Sequence, residues 1–233
     1  MMKALRIGGI AILLVAATAY AIDGVVLKYV YKKDAVTKTR IKGSLEIQGT
    51  EVSINMVNQV KVKEIAEDGT VTLEDGLLEG KASVGGQEFD IPSQGANIVV
   101  MKPNGEVKEI RGDNINEESY RLQNLMSFVP PTEEVKVGFK WKRELAANKD
   151  TKAPAFKSEY NIVGEEKVDG TDTFKIEYKT AETEGTEPAS IEGTMWVSKE
   201  DCNLVKGSAK WANVPQPGAP MPITGNFTME RVK

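Results

Sequence analysis

Apolar side chains recur at every second position along most of this chain. That spacing matches a β-strand, whose successive side chains point to opposite faces, and not the 3.6-residue period of a helix. Strict alternation is typical of antiparallel strands with one buried face. The sequence therefore predicts an all-β, mainly antiparallel protein. The alternating residues include Val25, Leu27, Tyr29 and Tyr31; Ile41, Leu45 and Ile47; Val52, Ile54 and Met56; Phe89 and Ile91; and, later, Phe174, Ile176 and Tyr178.

Short turn sequences separate the predicted strands. Glu67–Thr70, Pro103–Gly105 and Val168–Thr171 each place Asn-Gly or Asp-Gly between two alternating segments. These residues tolerate the positive φ angles that tight hairpin turns require. We therefore expect neighbouring strands to pair as hairpins in one strongly curved open sheet or half-barrel.

One segment near residues 116–128 has a helical pattern instead. Asn116 can cap a helix, and Glu117 and Glu118 favour its positive end. The pair Pro130–Pro131 ends the pattern, because proline cannot continue a helix. An apolar stripe predicts packing of this helix against the sheet, with a mobile lid over a pocket as the alternative. The stripe consists of Tyr120, Leu122, Leu125, Met126 and Phe128.

The first 21 residues have the features of a secretory signal peptide. Lys3 and Arg6 precede an apolar run over residues 7–17, and Ala19 and Ala21 are the small residues that a signal peptidase recognises. The apolar run is shorter than the roughly 20 residues that span a bilayer. We therefore expect cleavage after Ala21 and export to the periplasm or the exterior, with no membrane span afterwards. An uncleaved membrane anchor is the alternative.

Residues 22–233 are predicted to form a single β-rich domain. No linker there is rich enough in Gly, Pro or Ser to mark a boundary. A division into halves at residues 22–112 and 130–233 is the alternative. Without Lys3 and Arg6 the 30 basic residues fall to 28, against 34 acidic residues, a formal charge of −6 that argues against nucleic acid as a partner.

The residue types leave little room for catalysis. Histidine is absent, which excludes Ser-His-Asp and Cys-His nucleophiles and histidine-rich metal sites. Cys202 is the single cysteine, so it cannot form an internal disulfide, and its sequence context predicts a turn between strands. We expect no enzyme activity, no catalytic residue, no cofactor and no metal site. The acids that a carboxylate-dependent hydrolase would use are instead predicted on a solvated face: Glu46, Glu51, Glu64, Glu109, Glu177 and Glu192.

Large apolar side chains on the later strands are the strongest indication of a binding site. A wide sheet covered by one helix leaves apolar surface that the helix cannot hide, and curvature would turn this surface into a trough. The alternative is that these side chains fill a core. The predicted apolar wall consists of Phe139, Trp141, Tyr160, Phe174, Ile176, Tyr178, Met195 and Trp211.

Several segments in order resemble a group of uncharacterised exported bacterial β-proteins. They are Met101–Val107, Ile110–Gly112, Phe128–Pro131, Val135–Trp141 and Gly193–Val197. The Gly-x-x-Trp-Val strand over the last of these segments, its turn and the return strand also resemble the lipoprotein-carrier (LolA-like) half-barrel group. For a carrier, the resemblance implies a curved sheet that holds lipid chains on its concave side. It implies no individual site residue.

The sequence thus predicts an exported, non-enzymatic binding protein. Its ligand would be an apolar or lipidated molecule on the concave face of the sheet. The alternative is a structural or protein-interaction module of the cell envelope with a filled core and no ligand. The expected partner is accordingly an apolar ligand or an envelope protein.

Overall fold

A computed structural model describes residues 24–47, 49–93, 95–218 and 221–232. The predicted signal peptide and its cleavage site lie outside these residues. The described elements, in chain order, are β1 (Val25–Val26), β2 (Val36–Ile47), β3 (Thr50–Ile65), β4 (Val71–Val84), β5 (Gln87–Asp90), β6 (Ala96–Met101), β7 (Val107–Arg111), α1 (Glu117–Met126), β8 (Glu134–Val135), β9 (Lys140–Leu145), β10 (Phe156–Val168), β11 (Thr171–Glu182), β12 (Ser190–Ser198), β13 (Leu204–Val214) and β14 (Ile223–Val232).

Most strands belong to one open antiparallel sheet. Its order is β7-β6-β4-β3-β2-β14-β13-β12-β11-β10-β9, and β5 pairs with the end of β4. The chain therefore forms two meanders, which meet where β2 pairs with β14, with Leu45 opposite Gly225. Strands β1 and β8 form a separate two-stranded sheet. The predicted all-β fold, with a large curved antiparallel sheet and one helix, is confirmed.

Turn chemistry explains why consecutive strands pair. The two residues between β10 and β11 are Asp169 and Gly170, with φ angles of 49° and 86°. Two consecutive positive φ angles match the right-handed twist of a two-residue hairpin, and Gly reaches them without steric cost. The turn therefore sets the register of the hairpin near Val168 and Thr171, and a β-bulge between Ile162 and Gly164 shifts it by one residue, which places Tyr160 opposite Tyr178.

Paired residues define two faces of the sheet. The inner face carries Tyr160 and Tyr178 and continues across Gly193, Ala209 and Phe227. This face combines large aromatic residues with small residues such as Gly193 and Ala209. At Gly225, an added Cβ atom would lie 2.5 Å from the carbonyl oxygen of Ser44 and 2.9 Å from the Cα of Leu45. Only glycine therefore fits at this position of β14 beside β2.

The outer face is polar and charged. Lys142 pairs with Glu159 at 3.0 Å, and Lys179 pairs with Glu192 at 3.4 Å, in one row of alternating charge across the sheet. Such opposite-charge neighbours stabilise cross-strand pairing modestly. The alternation in the sequence therefore assigns the inner and outer faces correctly in this half of the sheet.

Two predicted details of the strands are wrong. The alternating segment from Val25 to Tyr31 is a strand only over Val25–Val26, and the rest runs in irregular conformation over the inner face, where Leu27 is 2% exposed. The alternation therefore predicted correctly that Leu27 is buried, but not that the segment leaves the strand after Val26. Phe89 lies in a strand but is 52% exposed, because β5 pairs only with the end of β4 at the margin of the sheet. No helix in the described ranges is long and apolar enough to cross a membrane.

Candidate functional site: a cavity beneath the helix

The helix α1 forms where the sequence predicts it. The side chain of Asn116 accepts a hydrogen bond from the Ser119 amide at 3.1 Å, and the Asn116 amide donates to the Ser119 hydroxyl at 3.3 Å. This reciprocal arrangement satisfies amides that a helix start leaves unpaired. The helix buries Leu125, which is 2% exposed, against the inner face of the sheet.

An ion pair attaches the helix to the sheet. Arg121 donates to both carboxylate oxygens of Glu182 on β11, at 2.7 and 2.8 Å. Glu182 is 3% exposed and also accepts from the amide of Ala189 at 2.8 Å. Bidentate pairs of this kind fix orientation as well as adding energy. The helix is therefore held at a defined angle over the sheet.

A cavity of about 220 Å³ lies between the C-terminal half of α1 and the inner face. The helix and the segment after it form one side, and strands β10 to β14 form the other. Met126 lines the cavity and is 43% exposed, so the cavity reaches the surface beside the end of the helix. The lining residues are Tyr29, Met101, Gln123, Leu125, Met126, Ser127, Phe128, Tyr160, Tyr178, Thr180, Ile191, Met195, Val197, Cys202, Leu204, Trp211 and Met229.

Four residues of the predicted apolar wall line this cavity. They are Tyr160, Tyr178, Met195 and Trp211, which come from four different strands. Their common face follows from the period of two, and the pairing of Tyr160 with Tyr178 places two of them side by side. The cavity is the part of the predicted trough that the helix covers.

The other four residues of the predicted wall lie outside the cavity lining. Phe174 and Ile176 are fully buried in the core, with 0% exposure. Trp141 stacks on Tyr160 with ring centroids 4.7 Å apart and donates from its indole nitrogen to the carbonyl oxygen of Val129 at 3.2 Å. The Phe139 ring packs beside the Trp141 ring, with the two ring centroids 6.1 Å apart. These side chains pack against residues that line the cavity, as Trp141 does against Tyr160, but do not line it themselves.

Sequence reasoning missed the cavity residues that come from distant segments. Tyr29 lies in the irregular segment after β1, and its hydroxyl donates to the carbonyl oxygen of Phe128 at 2.9 Å. Met101 and Met229 come from β6 and β14. The alternation placed Tyr29 on a buried face, but no local signal indicates which distant strand or loop it meets.

Burial alters the acid–base behaviour of groups around the cavity. It raises the pKa of Tyr29 and of Tyr178 well above the usual range. Burial also raises the pKa of the Cys202 thiol to about 12, and the neighbouring Asp201 carboxylate adds to that rise. A thiol of such high pKa stays protonated at neutral pH and is a poor nucleophile. The cavity is therefore lined by neutral groups.

Two of the predicted surface acids, Glu46 and Glu51, lie opposite each other on β2 and β3, and both are exposed to solvent. Glu109 is paired with Arg111 at 2.6 Å, and Glu192 is paired with Lys179 on the outer face. Within the described residues, no three His, Cys, Asp or Glu side chains lie close enough together to hold a metal ion. A wider recess of about 740 Å³ crosses the sheet over β2, β3 and β12–β14, but most of its side chains are polar residues of the outer face.

Arg143 is a cationic side chain that is enclosed on the inner face of the sheet. Its side chain is 8% exposed, and its guanidinium carbon lies 4.9 Å from the centre of the Phe156 ring. Burial lowers its pKa, an effect that the nearby Tyr160, Glu106 and Tyr29 partly oppose. The Glu106 carboxylate is 3.9 Å from the Nε atom, beyond hydrogen-bonding distance.

Comparisons with known proteins give likenesses of fold only. No protein-family model matches the sequence. No curated protein matches it either. Among solved structures, the hypothetical lipoprotein YmcC of Escherichia coli is 14% identical, with 88% of this chain and 89% of that chain covered and a TM-score of 0.36. A protein of Bacteroides fragilis, described as exported and with a YmcC-like fold, is 10% identical, with 89% and 100% covered and a TM-score of 0.37.

Neither similarity identifies a family or a function for this chain. Both TM-scores are below 0.5, and both identities are below 25%. The comparisons do not confirm the resemblance to the lipoprotein carriers, which stays a prediction. The proposals below therefore depend on the cavity and its lining.

Proposed function

We propose that this chain is an exported, non-enzymatic binding protein that holds a small apolar ligand in the cavity beneath α1. The observation that carries the proposal is the cavity itself, which is lined mainly by aromatic, methionine and aliphatic side chains. Ligand sites are typically concave and apolar, with a few polar groups that orient the ligand. Here Thr180 and Gln123 supply such groups.

The volume limits the size of the ligand. An apolar cavity of about 150 Å³ is large enough to bind benzene, whereas sites for drug-sized molecules usually measure about 300–1,000 Å³. At about 220 Å³, this cavity fits one short aliphatic chain or one aromatic ring. A longer chain would have to leave the cavity beside Met126. The proposed ligand is therefore a single-chain amphiphile and not a whole diacyl lipid.

Binding can be measured with 1-decanol as the probe. Titration of the purified mature chain would be followed by calorimetry and by native mass spectrometry. Trp211 lines the cavity, so its fluorescence should also change as the probe enters. We expect saturable binding of one decanol molecule. A protein that takes up no decanol to its solubility limit would refute the proposal and favour the structural-module interpretation.

A cavity-filling variant makes the test specific. Leu204→Trp places a larger side chain in the cavity lining and should weaken decanol binding at least about tenfold, since the added side chain occupies the ligand's volume. Leu78→Trp is the matched control, because Leu78 is 52% exposed and lies outside the lining. Circular dichroism would confirm that both variants fold. Equal affinity in Leu204→Trp and Leu78→Trp would place the binding elsewhere.

The export part of the proposal depends on the leader sequence alone. The basic residues, the apolar run and Ala19–Ala21 are its support. Expression of the full chain in a bacterial host should give an envelope protein whose first residue is Ile22, measured by N-terminal sequencing. A cytoplasmic product that retains Met1 would refute export.

A further inference from the structure

Arg143 occupies a row of the inner face that leads directly to the cavity. It pairs with Ser158 across β9 and β10, and Ser158 pairs with Thr180, which lines the cavity. Both hydroxyl residues are buried, and the Thr180 hydroxyl bonds the Ser158 hydroxyl at 3.0 Å. The guanidinium itself lies over the ring of Phe156, the next inward-facing residue on β10, and Arg143 does not line the cavity directly.

Two nitrogen atoms of the Arg143 guanidinium are buried without hydrogen-bond acceptors. These atoms, Nε and Nη1, have no partner among the described residues. The Glu106 carboxylate is 3.9 Å from Nε, and its other oxygen accepts from Lys102 at 2.9 Å. Leaving a buried charged donor unpaired is costly, so a guanidinium in this position favours any anion that can reach it.

The charge of Arg143 acts on residues of the cavity. Burial raises the pKa of Tyr160 and of Tyr29, and the positive charge of Arg143 partly offsets both rises. Both tyrosines line the cavity. The electrostatic effect of the arginine therefore extends to the site where the proposed ligand would lie.

We propose that Arg143 is the charged end of the ligand site, and that the ligand is an aliphatic carboxylate. The chain would occupy the cavity beneath α1, and the carboxylate would accept hydrogen bonds from the guanidinium. Arginine suits this role because its planar donors match the geometry of a carboxylate and its charge is retained when buried. This inference rests on the proposed function, since it names the ligand class of the same cavity.

The test compares decanoate with 1-decanol, which have the same chain length and differ in the head group. At pH 7 the carboxylate is ionised. Calorimetry would measure both ligands on the wild type, Arg143→Met, Arg143→Lys and the control Arg111→Met, whose arginine is 60% exposed. Methionine preserves the unbranched stem and removes the charge. Thermal unfolding would verify that each variant folds.

We expect the wild type to bind decanoate about 10–100-fold more tightly than decanol, the range for a charge-assisted hydrogen bond. Arg143→Met should abolish that preference, because decanoate should lose much more affinity than decanol. Arg143→Lys should restore part of the preference, and Arg111→Met should retain all of it. Glu106→Gln removes the neighbouring carboxylate and should tighten decanoate binding about threefold or more.

Each outcome separates this inference from the proposed function. Equal affinity for the two ligands in the wild type, or a preference that survives in Arg143→Met, would overturn the role of Arg143 while the cavity still binds. Failure of the wild type to bind either ligand would overturn both proposals. An equal loss of affinity for both ligands in Arg143→Met would show a structural role only and would also overturn the inference.

Discussion

Replacement of Arg121 tests whether the helix over the cavity is held by its buried ion pair. In Arg121→Met the apolar stem is kept, and the two hydrogen bonds to Glu182 at 2.7 and 2.8 Å are lost. The Glu182 side chain is 3% exposed, so water cannot replace the guanidinium. It would retain one hydrogen bond, from the Ala189 amide.

The size of the effect follows from that burial. Breaking a buried pair by removing one partner costs about 3–5 kcal/mol, because the remaining charge stays uncompensated. Arg121 is itself 23% exposed, which favours the lower end, about 3 kcal/mol. For a chain of this length that loss lowers the unfolding midpoint by roughly 6–12 °C. The helix should loosen, and decanol should dissociate faster.

Thermal and urea unfolding followed by circular dichroism would measure the loss. Adding Glu182→Gln to Arg121→Met should recover stability, since the amide oxygen can still accept from Ala189 without a buried charge. Lys142→Met is the matched control, because its pair with Glu159 is exposed and its loss should leave the midpoint unchanged. An Arg121→Met midpoint equal to that of this control, or no recovery in the double variant, would refute the argument.

Two further predictions concern the sheet and the thiol. Gly225→Ala should destabilise the protein by about 1–3 kcal/mol in urea unfolding, because the new Cβ would lie 2.5 Å from the Ser44 carbonyl oxygen. Gly164→Ala, where no atom lies within 4 Å, should be neutral or slightly stabilising, and equal losses in the two variants would contradict the close-approach argument. Burial raises the pKa of Cys202 to about 12, with Asp201 adding to it, so the unfolded chain releases this proton at lower pH than the folded chain. Stability should therefore fall as pH rises above about 8.5, more steeply in the wild type than in Cys202→Ala, and equal slopes in urea unfolding would contradict the shift.

Features set by neighbouring residues could be predicted from the sequence. The period of two predicted that Phe174 and Ile176 face the interior, and both are 0% exposed. Because Trp196 follows Met195 directly on β12, the same rule requires it to face the other way, and it lies on the outer face between Lys175 and Lys206. Strand geometry alone causes this result, because successive side chains must point to opposite faces.

The helix and the hairpin turns belong to the same class of features. Asn116 and Ser119 are three residues apart, so their capping bonds form within one turn of the chain. Asp169 and Gly170 adopt positive φ angles because of their own side chains, or the lack of one. Such preferences are visible in any short window of the sequence.

Contacts between distant segments were decided by the tertiary structure. The central pairing of β2 with β14, which places Lys38 opposite Val232, has no signal in either strand, because many alternating strands could pair equally well. The strand predicted from Val25 to Tyr31 ends at Val26 for the same reason. Beyond Val26, the segment contacts the chain after α1, where the Tyr29 hydroxyl donates to the carbonyl oxygen of Phe128, and does not pair with a neighbouring strand.

The cavity and the buried arginine also depend on these distant contacts. The sequence alone determined which side chains of each strand turn inward, and it thereby supplied Tyr160, Tyr178, Met195 and Trp211. Only the curvature of the sheet and the position of α1 decided that these four surround a cavity while Phe174 fills the core. The physical reason is that alternation is a property of one strand, whereas enclosed volume depends on how elements far apart in the chain pack together.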